Sequence, residues 1–199
     1  MIKYFLKAKH WQLFLITFGI PFTLQIVMMV SIFSNFQINT NPDPLIFLNY
    51  MKFYPLIMII SITISFAWFW SVAIGLQGKI PLDVKMKVKK FKIFFFSPFV
   101  YFLIFMVFFY IGSNNLFNIN QDATFRSIGL IFAIVLPLHL FSMFCMLYIL
   151  YFTAKTIKTV ELQKEVKFAD FVGEFFLIWF YPIGIWIIQP KLNKLISEN

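Results

Sequence analysis

The 199-residue chain holds one cysteine, one arginine and two histidines. A single cysteine, Cys145, excludes an intrachain disulfide, a CxxC redox pair and a cysteine-rich metal site. His10 and His139 are far apart in the chain, and no acids are spaced around them as zinc ligands. No cofactor or metal is therefore expected. A glycine-rich phosphate loop and an HExxH motif are both missing. An enzyme acting on lipid at the membrane surface would need clustered acids, histidines or arginines, so that reading is the poorest of three. Charge is also scarce. Charged residues make up 13% of the chain, about half the share in a soluble domain.

What fills the chain is apolar: 61% of residues, including 30 phenylalanines. A soluble protein of this length has no core large enough to hide them, whereas a bilayer lets the outer surface be apolar too. Phenylalanine serves against lipid as leucine does, so its excess reads as compositional bias rather than as a functional stack. Five uncharged or nearly uncharged segments stand out, at about 11–33, 53–75, 93–112, 127–152 and 171–188. The first four reach the ~20 residues that cross ~30 Å of hydrocarbon as a helix. They are too long and too evenly apolar for barrel strands. The expected fold is all-α: a polytopic membrane bundle of five transmembrane helices forming a single domain over 1–199.

Lysine placement predicts orientation. Lys3, Lys7 and Lys9 precede the first segment, six lysines lie in 79–92, and four lie in 153–170. These three regions hold 13 of the 17 basic residues and fall on one side if the spans alternate. The opposite connections carry only Lys52 and Arg126. The N-terminus is thus expected in the cytoplasm, with a bacterial inner membrane as the expected location. The first segment is read as a retained span, because its apolar core is too long for a signal peptide. The net charge of +9 is a set of short clusters suited to anionic headgroups. It forms no nucleic-acid module, and no nucleic-acid partner is expected.

Two regions carry more structure than apolarity. In 153–170, lysines and acids recur three to four apart (Lys158, Glu161, Lys164, Glu165) and are interrupted by Ile157, Val160 and Leu162. This predicts an amphipathic cytoplasmic connector helix with a wet face, extending the fourth span. In 171–188, Glu174 lies one turn inside, and Asp170 precedes it on the same helix face. Pro182 lacks an amide hydrogen and Gly184 weakens the helix, so the segment bends or breaks near Tyr181. A kinked fifth span puts the C-terminus outside. A re-entrant hairpin would return it to the cytoplasm. His139 lies near the centre of the fourth segment, where an imidazole needs a partner.

Asp170, Glu174 and His139 are the candidate functional polar positions, with Pro182 and Gly184 as helix-break positions. The function expected is that of a non-catalytic subunit or accessory protein, with protein partners in the membrane or cytoplasm. A small transporter or channel component is the alternative, if His139 and Glu174 face one cavity.

Overall fold

The computed structural model describes residues 2–38, 44–115 and 121–197, with side chains over 2–34, 56–107 and 133–197. The turn-rich stretches 39–43 and 116–120 lie outside the described residues, as do the side chains of Lys52 and Arg126. Every described element is helical. In chain order these are α1 (Ile2–Lys7), α2 (His10–Phe14), a π turn (Leu15–Gly19), α3 (Ile20–Ile38), α4 (Pro44–Gly75), a 3-10 turn (Gln77–Lys79), α5 (Val88–Asn115), α6 (Gln121–Leu162), α7 (Phe168–Trp179) and α8 (Tyr181–Ser197). Among the described residues, four stretches are long and apolar enough to cross a membrane: His10–Ser34, Leu56–Lys79, Val88–Val107 and Ala133–Leu162. They overlap the first four apolar segments of the sequence.

Proline shapes the first span. Pro21 has no amide hydrogen, so the carbonyl of Thr17, four residues earlier, loses its helical donor. The chain widens into the π turn at this point. The hydroxyl of Ser61 on α4 donates to the orphaned Thr17 carbonyl at 2.5 Å. A helix defect thereby becomes a helix–helix contact.

The buried core gathers at one end of the bundle. Trp68 and Val72 of α4, Leu76 just beyond it, Phe91 of α5, and Ile157 of α6 are all fully buried there. Short α1 lies across Gly75 with Ile2 and Leu6 turned inward, close enough that a side chain at Gly75 would displace both. The connector 153–170 continues the fourth helix to Leu162, in line with the sequence reading, and differs from it in burial. Its first part is the unbroken end of α6, and Thr153, Ala154, Thr156, Ile157, Thr159 and Val160 are all buried. Packing of α4 and α7 against this end of α6 removes the wet face over these positions. The Thr156 hydroxyl returns to its own helix, donating to the Phe152 carbonyl at 2.8 Å, whereas the buried Thr153 and Thr159 hydroxyls have no hydrogen-bond partner among the described residues.

The segment 171–188 is not one helix. α7 ends at Phe180, whose backbone (φ −88°, ψ 57°) leaves helical geometry, and α8 begins at Tyr181. Pro182 sits in the first turn of α8, where its missing N–H costs nothing. Gly184 sits against the Leu177 carbonyl, where any side chain would collide with backbone. α8 then runs back along α7, since Glu174 of α7 touches Lys191 of α8 at 2.7 Å. At the far end of α8, the Leu195 carbonyl accepts a hydrogen bond from Lys79 at 2.7 Å. The 12 residues of α7 rise only ~18 Å, short of the hydrocarbon thickness.

Candidate functional site

Among the described side chains, three polar constellations stand at the lysine-rich end. The first is a closed ring of charge. Lys158 on α6 contacts Glu161 at 2.9 Å and Glu174 at 3.1 Å. Lys191 on α8 contacts the same two acids, each at 2.7 Å. Two ammonium groups and two carboxylates cancel, and three helices are tied in one place. Burial alone would push the Glu174 carboxyl up, but the hydrogen bonds from Lys191 and Lys158 outweigh it and hold the carboxyl below its ordinary range.

The second constellation centres on Gln189 of α8, which has no exposed surface. Its amide oxygen accepts from the Trp68 indole N–H at 2.8 Å. Its amide nitrogen donates toward the carbonyls of Phe5 and Ala8, both at 3.0 Å. These carbonyls lie in and just beyond the last turn of α1, where helical donors run out; Asn193 also donates to the Ala8 carbonyl, at 3.2 Å. One buried amide thus clasps α1, α4 and α8. The third constellation is at the rim. There Lys79 reaches the Leu195 carbonyl, and Gln163 donates to the Lys79 carbonyl at 3.1 Å.

The sequence-predicted positions separate in space. Glu174 enters the charge ring. Asp170, on the preceding turn, is exposed, and its carboxylate accepts the backbone N–H of Lys167 at 2.7 Å, capping the start of α7. His139 is elsewhere. It is exposed on α6, with the Tyr101 hydroxyl 3.4 Å from its Nδ1. Nineteen residues of one helix separate it from Lys158, which is ~28 Å along the axis. His139 and the ring are therefore not in one cavity. Cys145 is fully buried, and no cluster of three His, Cys, Asp or Glu occurs among the described residues.

Gln189 and Lys191 were not picked out from sequence. The signal for Gln189 was available, because a lone amide inside the run IGIWIIQ has to find partners when buried. No family model, curated protein or solved structure matches the chain.

Proposed function

We propose that the protein is a non-catalytic subunit of a membrane assembly, held by four spans, with α7 and α8 forming a re-entrant helical hairpin. The observation that carries this reading is a division of labour. The polar groups of the ring and of Gln189 are consumed by internal contacts that make one end rigid, while the first span keeps apolar faces open. Only 11% of that span's most apolar window is buried. Phe22, Val27, Val30 and Phe33 are each about half exposed or more and share one broad face of the helix. Such a span is suited to receiving neighbouring apolar helices.

The hairpin reading rests on the antiparallel course of α7 and α8 and on the tie from Lys79 to Leu195. Its turn carries exposed Phe176, Trp179, Phe180 and Ile183, a set suited to the inner leaflet rather than to water. With the lysine clusters in the cytoplasm, both chain ends are then cytoplasmic. This replaces the arrangement of five spans with an external C-terminus. Transport has less support, because His139 lies ~28 Å along α6 from Lys158, the partner of Glu174.

Two measurements test the proposal. In native membranes solubilised in a mild detergent, the chain should migrate in a particle larger than its own 23.6 kDa plus detergent. Val27→Trp with Val30→Trp should release it as a free chain that stays folded. Migration of the wild type as a lone chain would refute the subunit reading. For the hairpin, Ser197→Cys in a Cys145→Ser background should react with impermeant reagent in inverted vesicles and not in intact cells. Reaction from outside would restore the fifth span.

A further inference from the structure

α1 and the first span enclose a groove of about 710 Å³ at the lysine-rich end. Its upper edge is the outer face of α1, where Lys3, Tyr4 and Lys7 are exposed. Its floor is an apolar stripe formed by Trp11, Leu15, Ile16 and Ile20, each at least two-fifths exposed. From Trp11 to Ile20 the stripe runs ~14 Å along the helix, close to the ~15 Å depth of one leaflet. Lys3 and Lys7 are one helical turn apart and have no ion pair or hydrogen bond among the described residues. No acid lines the groove, and the first acid in the chain is Asp43. Glu161 and Glu174 are already neutralised by Lys158 and Lys191.

We infer that this groove is a binding site for one anionic glycerophospholipid. The phosphate sits between Lys3 and Lys7, and one acyl chain lies along the stripe from Trp11 to Ile20. Charge complementarity selects the head, and the apolar floor holds the tail. Trp11 lies at the junction, where the amphipathic indole belongs. The other face of α1 is fixed by Ile2 and Leu6 on Gly75, and its end is held by Gln189. The lysine pair is therefore mounted on a rigid support. The inference rests on the chain lying in a bilayer with its leader at the surface. It does not depend on the subunit reading or on the hairpin.

The test is native mass spectrometry of the purified full-length chain, given equal amounts of dioleoyl phosphatidylglycerol and dioleoyl phosphatidylcholine. The two lipids share their tails and differ in net charge. One phosphatidylglycerol should be retained in preference to phosphatidylcholine. Lys3→Gln with Lys7→Gln should weaken that retention about fivefold per lysine. Lys85→Gln with Lys87→Gln removes the same charge from the 79–92 connection and should leave retention unchanged. Ile16→Trp, which fills the floor, should weaken both lipids. Equal retention of the two lipids would overturn the site. An equal loss from both lysine pairs would do so too, since it would indicate bulk surface charge alone, as would undiminished binding by Ile16→Trp. These variants leave Ser197 labelling and particle size untouched, so failure here is distinguishable from failure of the proposed function.

Discussion

The first and second spans have the same mean hydropathy, 2.1, yet 33% of the second span's window is buried against 11% of the first's. Hydropathy reports which solvent a helix tolerates; it does not report what the helix packs against. The second span becomes crowded toward Gly75, where Ser71, Val72 and Ala73 are all fully buried and Trp68 donates to Gln189. The first span beyond Pro21 lacks such hooks. Its Thr23 and Ser31 hydroxyls return to carbonyls of their own helix, both at 2.9 Å. Small residues that let backbones approach, and polar groups that reach across, separate the packed end from the open span.

The packed end should therefore break first under substitution. The largest effect is expected from Gly184→Ala, which drives a methyl group into the Leu177 carbonyl and parts α7 from α8. A loss of ~3 kcal/mol or more is expected, at the upper end of overpacking costs, measured as denaturant or thermal unfolding in detergent. An unchanged midpoint would mean that the helices do not meet there. Gln189→Leu comes next. It strands the Trp68 N–H and removes a shared donor from the Phe5 and Ala8 carbonyls, and should cost ~2 kcal/mol. Gln189→Glu keeps the acceptor for Trp68 but loses the donors, so an equal loss in both variants would assign the clasp to the α1 carbonyls.

Glu174→Gln leaves two lysines facing one carboxylate. Because the lysines are partly exposed, the expected loss is ~1 kcal/mol, below that of a fully buried pair. The Glu174 carboxyl is held below its ordinary range in the folded chain. Its contribution is thus fully present above the unfolded carboxylate pKa and is lost as pH falls through the lowered folded value. Acid should weaken the wild type more than Glu174→Gln, and parallel pH profiles would contradict this. The smallest effect is expected at the open span, where Val27→Ala with Val30→Ala should shift the isolated chain's unfolding by under ~0.5 kcal/mol. A larger shift in detergent would show that α3 is packed within the chain, and the contrast between the two spans would vanish.

The class of fold was readable because long uncharged runs admit few alternatives. The break near Tyr181 was readable because Pro182 and Gly184 act through local backbone chemistry. The course of the chain after the break was not. Whether α8 continues outward or turns back depends on Lys191 finding Glu174 and on Leu195 finding Lys79, and both pairings join positions that local pattern does not connect. The connector misled for a similar reason. Lys158 and Glu161 at helical spacing look like a solvated pair, and only the arrival of α7 and α8 converts them into half of a ring. Asp170 and Glu174 share a helix face in sequence, yet one caps a helix in the open and the other is buried. Four residues of spacing fix direction but not depth.

α6 runs for 42 residues without interruption, which makes it a rod of ~63 Å, about twice the hydrocarbon thickness. It begins at Gln121, beside the short connection opposite the lysines, and finishes among the charges of Lys158 and Glu161. A rod of that length acts as a lever. A tilt of about one degree about its anchored end moves the other end by ~1 Å. With the Lys158 end held as fulcrum, a small sideways shift near that end would therefore emerge as a larger displacement at the Gln121 end.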